Sequence, residues 1–263
     1  MNRLSLKDIV LKSNKRKLLC LTAYTSSISK IIDNFVDIIL IGDSVGSALY
    51  GMKNTQSVSL DMMKNHGKTV TQTSKKAFTI IDMPYGSYRN KSEALSNAKA
   101  LLSFTKCQSV KLETDEKTIE IVNHLTKNKI KVVSHIGVTP QKYKNFSKIK
   151  AVGKKIKKQE KILKLAKKLE DANSCMIVLE CISADLTKKI TKRLSIPTIG
   201  IGSSVHCNGQ ILVINDILGY ESSSKKPKFV KSYAKIDLEI TKAVKKYCKD
   251  VLNKKFPSKK YSY

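Results

Sequence analysis

The sequence predicts a single-domain α/β fold, a TIM-type (β/α)8 barrel over residues 1–263 with a short N-terminal helix. Three observations predict it. Short apolar runs rich in β-formers alternate with amphipathic segments along the whole chain, which is the pattern of βαβ units around a parallel sheet. Eight such runs occur, and eight strands with interleaved helices favour closure into a barrel. The 263 residues, 41% of them apolar, suffice for one large core and match the length of a complete barrel. An open doubly wound sheet is the alternative, because periodicity alone does not report closure.

In chain order the expected strands are 18–23, 38–41, 77–81, 109–112, 131–134, 175–179, 198–201 and 212–214. Each is apolar for most of its length, as a strand covered on both faces should be. Segments 91–104, 116–128 and 184–194 carry apolar residues at three- and four-residue steps with polar faces opposite, and are expected to be helices. The very basic segment 154–173 sets Ile156, Leu163, Ala166 and Leu169 along one side, between Gly153 and Asn173 as boundary residues. An outer barrel helix explains it best, because a membrane-surface or RNA-binding helix usually carries aromatic or bulky anchors that are missing here. Residues 254–263 form a short basic tail expected to fray.

Residues 1–17 carry charges every few positions and lack the apolar stretch of a signal peptide, and no apolar run is long enough to cross a bilayer. A cytoplasmic location away from the membrane is the expectation. The net charge of +29 invites a reading as a nucleic-acid binder. However, lysine pairs such as Lys75-Lys76, Lys154-Lys155 and Lys245-Lys246 are scattered, there is no Trp, and aromatics make up 6% of the chain. A base-stacking platform is therefore poorly supplied, and dedicated nucleic-acid binding is not expected. The six cysteines stand singly in apolar surroundings and read as reduced thiols. A zinc set of Cys175, Cys181, His206 and Cys207 fits no ordinary ligand spacing.

Barrel enzymes place their chemistry at the C-terminal ends of the strands, so polar residues that close apolar strands are the place to look. They recur here: Ile41-Gly42-Asp43-Ser44, Ile80-Ile81-Asp82-Met83-Pro84, Lys111-Leu112-Glu113, Ser134-His135 and Val178-Leu179-Glu180. Each alone has an ordinary structural reading, the aspartates as turn or cap residues and the histidine as a satisfied structural group. Jointly, acids gathered in one mouth repel and are costly to desolvate unless a cation or a shared proton neutralises them. Carboxylate ligands without neighbouring Cys or paired His favour Mg²⁺ over zinc. Magnesium leaves positions for a chelating substrate, and a 2-oxo acid offers its keto oxygen and carboxylate. Glu180 follows Met176-Ile177-Val178-Leu179, an apolar approach suited to a general base.

At these residues the chain resembles the ketopantoate hydroxymethyltransferase family. The motifs include Leu21-Thr22-Ala23-Tyr24, Gly42-Asp43-Ser44-Val45-Gly46, Ser59-Leu60-Asp61-Met62-Met63 with His66, and Asp82-Met83-Pro84-Tyr85-Gly86-Ser87-Tyr88. Further on stand Val110-Lys111-Leu112-Glu113, His135-Ile136-Gly137-Val138-Thr139-Pro140-Gln141, Val178-Leu179-Glu180-Cys181 and Cys207-Asn208-Gly209-Gln210-Ile211-Leu212-Val213. The resemblance implies hydroxymethyl transfer from the cosubstrate 5,10-methylenetetrahydrofolate to 3-methyl-2-oxobutanoate through a Mg²⁺-stabilised enolate. The product is 2-dehydropantoate, in the first step of pantothenate biosynthesis. Carried over residue by residue, Asp43 and Asp82 would hold Mg²⁺ and Glu113 would contact the metal site through water. Ser44 and Lys111 would hold the oxo acid together with the metal-binding Asp43 and Asp82, Glu180 would remove the C3 proton, and His135 would support the site from behind. The resemblance also implies a large homo-oligomer, a decamer by the same likeness.

Departures from the family pattern fall in loops around the mouth: Thr114 and Asp115 after Glu113, the lysine-rich stretch 143–155, Ser203-Ser204-Val205, Asn208 and Asn215. These bear on folate affinity and assembly more than on the acidic set. Two other readings are a Mg²⁺-dependent oxo-acid lyase or mutase of the isocitrate lyase type, and a decayed barrel kept as a basic binding protein.

Overall fold

The computed structural model describes residues 3–143, 152–153, 156–220 and 227–263. Eight strands close into a barrel in sequential order: β1 (Leu18–Thr22), β2 (Ile38–Ile41), β3 (Phe78–Asp82), β4 (Ser109–Glu113), β5 (Val132–Gly137), β6 (Met176–Glu180), β7 (Thr198–Ile201) and β8 (Gly209–Leu212). All pairings are parallel, and β8 returns to β1 with Leu18 opposite Gly209. The closed barrel expected from the sequence is therefore present.

Helices α1 (Leu6–Lys15), α2 (Ser26–Ile32), α3 (Val45–Tyr50), α4 (Leu60–Thr73), α5 (Lys91–Thr105), α6 (Ile119–Lys127), α7 (Ile156–Asp171) and α8 (Ala184–Arg193) lie between or before the strands. Their ends follow local chemistry. Ser5 and Asp8 form a reciprocal capping box at the start of α1. The expected helix 116–128 begins later, at Ile119, because the Asp115 carboxylate accepts the backbone N–H groups of Lys117 at 2.9 Å and Thr118 at 3.2 Å. The lysine-rich stretch 143–155 lies largely outside the described residues.

Strand parity builds both the core and the site. Phe78 and Ile80, Val133, and Met176 and Val178 belong to one buried apolar cluster with Leu18, Cys20, Ile38, Leu40, Ile199 and Ile211. Ile9 of α1 joins the cluster, and Leu4 and Leu6 pack against it. Successive side chains alternate across a strand. Two residues on from Ile80, Val133 and Val178 stand Asp82, His135 and Glu180, which share the inward direction of the core residues beneath them. Neighbouring strands align Asp82 with Lys111, and Glu113 with His135.

The eighth strand departs from expectation. It runs over Gly209–Leu212, not 212–214, and Ile214 instead opens the next helix. Gly209 explains the shift: a Cβ there would stand 2.7 Å from Leu18 Cβ and 2.9 Å from the Leu18 carbonyl oxygen, so only glycine lets the strand close on β1.

The chain divides into two compact units, Met1–Val213 with the barrel and Ile214–Tyr263. The second unit holds α9 (Ile214–Leu218) and α10 (Ile236–Leu252). The Tyr233 N–H donates to the Ile217 carbonyl at 2.7 Å, and the Tyr247 and Phe256 rings meet edge-on with centroids 5.7 Å apart. Residues Lys259–Tyr261 form a single 3-10 turn.

Candidate active site

Asp82 ends β3 and is buried against Lys111 of β4, with the carboxylate Oδ1 2.9 Å from Nζ. The other oxygen, Oδ2, accepts the backbone N–H of Asp43 at 3.0 Å, which ties the loop after β2 to the end of β3. Burial, reinforced by the Asp43 charge, raises the Asp82 carboxyl to about 7 even against the pull of Lys111. Burial alone would lower the Lys111 ammonium, but Asp82, Asp43 and Glu113 together raise it, so it stays charged.

Glu113, the last residue of β4, is buried as well. Its Oε1 accepts the backbone N–H of Gln141 at 3.0 Å, whereas Oε2 is buried without a hydrogen-bond partner. Desolvation, then the Asp43 charge, raises its carboxyl well above the usual range. Gln141 also donates from Nε2 to Asp43 Oδ2 at 2.7 Å, which places Asp43 and Glu113 on either side of one residue.

On the next strands His135 Nε2 stands 3.2 Å from Glu180 Oε2. Burial, then the Lys111 charge, lowers the His135 pKa against the opposing Glu180, so the ring is neutral. Neither ring nitrogen has an aligned hydrogen bond. Glu180 is the more open partner, its side chain 13% exposed against 4% for His135. Gly137 permits this approach of β5 to β6: its φ is +106°, and a Cβ would fall 2.2 Å from the Glu180 carbonyl oxygen.

Ser44 precedes α3, yet its hydroxyl makes no capping bond and instead meets the buried Tyr24 hydroxyl at 2.7 Å. The structure thus brings Asp43, Ser44, Asp82, Lys111, Glu113, His135 and Glu180 to the C-terminal ends of β2 to β6, which is where a barrel presents its chemistry. Gln141, Tyr24 and Tyr88, whose hydroxyl donates to Gln141 Oε1, complete the arrangement. Sequence reasoning assigned these three no role, and only their place inside quoted motifs could have drawn attention to them.

Whether a cation suits this donor set follows from its chemistry. Among the described residues no three His, Cys, Asp or Glu are grouped so as to hold an ion by themselves. Magnesium does not require such a group, since it keeps several waters and uses one or two carboxylates. A buried carboxylate oxygen without a donor on Glu113, and an aspartate raised by burial beside a second acid, both indicate a shortage of positive charge. The residues fit Mg²⁺.

A family model described as ketopantoate hydroxymethyltransferase matches residues 3–259, nearly the whole chain. The chain belongs to this family. Among its relatives, the 3-methyl-2-oxobutanoate hydroxymethyltransferase of Pelagibacter ubique is 48% identical over 256 residues, 97% of this chain and 98% of that one. The protein of the same name from Anaplasma marginale is 42% identical over 260 residues, covering 99% and 93%. Solved structures share the barrel at much lower identity. Phosphonopyruvate hydrolase in complex with oxalate and Mg²⁺ gives a TM-score of 0.63 at 11% identity over 99% of this chain and 93% of that one. For 2,3-dimethylmalate lyase, a member of the PEP mutase/isocitrate lyase superfamily, the TM-score is 0.60 at 10% identity, covering 79% and 80%. Those likenesses speak for the fold, and the sequence relatives set this ketopantoate hydroxymethyltransferase family member apart from the lyases.

Several departures from the family pattern have local structural roles. The Thr114 hydroxyl donates to the His135 carbonyl at 3.0 Å. Ser203 Oγ donates to the Leu179 carbonyl at 2.7 Å and accepts the Ile182 N–H at 3.1 Å, bracing the turn that follows Glu180. Asn208, expected in a loop around the mouth, lies instead at the N-terminal ends of β7 and β8, where its Oδ1 accepts from both the backbone N–H and the hydroxyl of Thr198, each at 3.0 Å.

Proposed function

We propose that this chain transfers a hydroxymethyl group from 5,10-methylenetetrahydrofolate to 3-methyl-2-oxobutanoate, giving 2-dehydropantoate for pantothenate biosynthesis. The single observation that carries the reading is the placement of a charged Lys111 and an under-neutralised acid set next to the Glu180–His135 pair, on consecutive strand ends. Family membership favours this reaction over a lyase on the same fold.

Asp43 and Asp82 would hold Mg²⁺, with Glu113 reaching it through water. The bound cation would neutralise the acids and draw electron density from the keto oxygen, which makes the neighbouring C–H acidic enough for a carboxylate to ionise. Lys111 binds the carboxylate of the oxo acid, because its charge is retained in a buried setting where an anion gains most from it. Ser44 donates to the same substrate end, its hydroxyl oriented by Tyr24.

Glu180 takes the C3 proton. His135 is neutral and stands close enough for a small adjustment to give a hydrogen bond that steadies the Glu180 carboxylate. The carbanion then forms a C–C bond to the methylene carbon of the folate-derived iminium. One water supplies the hydroxyl as the C–N bond to tetrahydrofolate breaks, which balances the reaction. By family likeness the chain acts as a homo-oligomer in the cytoplasm, and no helix among the described residues is long and apolar enough to cross a membrane.

The test is a product assay with 3-methyl-2-oxobutanoate and methylenetetrahydrofolate, with and without Mg²⁺. Formation of 2-dehydropantoate only with the metal supports the reading, and cleavage of an oxo acid without folate would replace it with a lyase. In deuterated water Glu180→Gln should slow exchange of the C3 proton by about a thousandfold, the scale of a lost general base, while oxo-acid binding persists. Wild-type exchange in that variant removes Glu180 from its role.

A further inference from the structure

Gln141 lies just after Pro140 at the mouth and is buried. One oxygen of each of two acids is committed to it: Asp43 Oδ2 to its side-chain Nε2 at 2.7 Å, and Glu113 Oε1 to its backbone N–H at 3.0 Å. The same Nε2 donates to the Met83 carbonyl at 3.1 Å, Oε1 accepts from the Tyr88 hydroxyl, and the backbone carbonyl accepts from Gln56 Nε2 at 2.8 Å. These partners fix the amide in one orientation. Turned over, its oxygen would face a carboxylate and a carbonyl, and its NH₂ would face a hydroxyl already placed to donate.

A carboxylate oxygen held by a directed donor has one of its two lone-pair directions occupied, which leaves the other oxygen as the freer ligand for a cation. Mg²⁺ loses little by this, since it takes single oxygens from few carboxylates in a small octahedron and fills the rest with water. Ca²⁺ is larger, takes six to eight oxygens, and gains from a carboxylate that binds through both. We propose that Gln141 is a positioning residue that keeps Asp43 to one coordinating oxygen and so sets the preference of the mouth for Mg²⁺ over Ca²⁺. This rests on the metal reading given above.

The experiment titrates the metal-stripped full-length chain with Mg²⁺ and with Ca²⁺ by calorimetry, without substrate, for wild type, Gln141→Met and Tyr88→Phe, with circular dichroism to confirm folding. Methionine fills the volume of the amide but donates nothing. Its ratio of Ca²⁺ to Mg²⁺ dissociation constants should fall by about tenfold, the lower end of what loss of an outer hydrogen-bond partner does to metal affinity. Tyr88→Phe removes the hydroxyl that anchors the amide oxygen, leaves the donor to Asp43 less firmly held, and should move the ratio in the same direction by a smaller factor; it decides alone if the methionine variant does not fold. Unchanged ratios in variants that still bind Mg²⁺ overturn the inference and leave the proposed function standing. A wild-type chain that binds no Mg²⁺ overturns both.

Discussion

The two ends of the barrel treat buried acids in opposite ways. At the N-terminal end, before β3, the Asp33 carboxylate accepts the Ser74 hydroxyl at 2.7 Å and the backbone N–H groups of Lys75, Lys76 and Ala77 at 2.6, 2.9 and 2.9 Å. Before β2, Asp37 receives both arms of the Arg16 guanidinium, at 2.7 and 2.8 Å, and the Leu19 N–H at 3.0 Å. Burial pushes both groups up, but these donors win and hold their pKa values below the ordinary range. At the C-terminal end, Asp82 and Glu113 meet too few donors, burial wins, and both are raised. The floor acids are part of the architecture. The mouth acids are left short of positive charge, a state that costs stability and persists where a ligand supplies what the chain withholds.

Exchanging one acid at each end tests this contrast most severely. Asp82→Asn keeps shape and burial but removes the charge that faces Lys111 and the proposed cation, and should lower kcat by about a thousandfold or more while the chain folds. Steady-state kinetics beside a thermal melt reads both, and near-normal turnover would place the chemistry elsewhere. Asp33→Ala should do the reverse. It orphans a hydroxyl and three backbone N–H groups and should cost about 2–4 kcal/mol of stability in urea unfolding, given about 1–3 kcal/mol for a single unsatisfied buried group. Turnover per folded molecule should be unchanged. If Asp33→Ala lost activity in proportion to Asp82→Asn, the division of labour between the two ends would be wrong.

The contrast was half legible in the sequence. Asp82, Glu113, His135 and Glu180 are legible because each is a polar residue at the end of an apolar strand, and for Asp82, His135 and Glu180 the inward apolar residue two positions earlier fixes the direction as well. Strand order was legible for a related reason, since short connections leave sequential parallel pairing as the simplest arrangement. The hydrogen-bond hub at Gln141 was not. Its partners, Asp43, Glu113, Met83, Tyr88 and Gln56, come from segments far apart in sequence, and an amide in a loop carries no periodicity to reveal that it is buried. Asp33 and Asp37 were missed similarly, since an acid saturated by backbone N–H groups has the sequence signature of any turn aspartate. The misplaced β8 shows the opposite failure, in which the apolar run 212–214 outweighed the steric demand that sets Gly209 against Leu18.

The smallest predicted effect concerns Glu113 and is read as stability of the metal-free chain, not as turnover. Its carboxyl is raised in the folded, metal-free protein, so around neutral pH the folded state binds more protons than the unfolded state, and stability falls as pH rises from about 4 upward. Glu113→Gln keeps the acceptor for the Gln141 N–H and removes the charge that burial penalises. In the absence of divalent cations the variant should therefore be more stable than wild type at pH 8, by about 1 kcal/mol, the lower end of what a buried unsatisfied group costs. The advantage should shrink as pH is lowered toward 4, where the wild-type group is protonated in both states. Urea unfolding at several pH values measures it, and adding Mg²⁺ should narrow the gap at pH 8, because the cation neutralises the wild-type site and has less to offer the variant. An advantage independent of pH would mean that packing, not charge, distinguishes the two side chains, and the mouth would then be no more strained electrostatically than the floor.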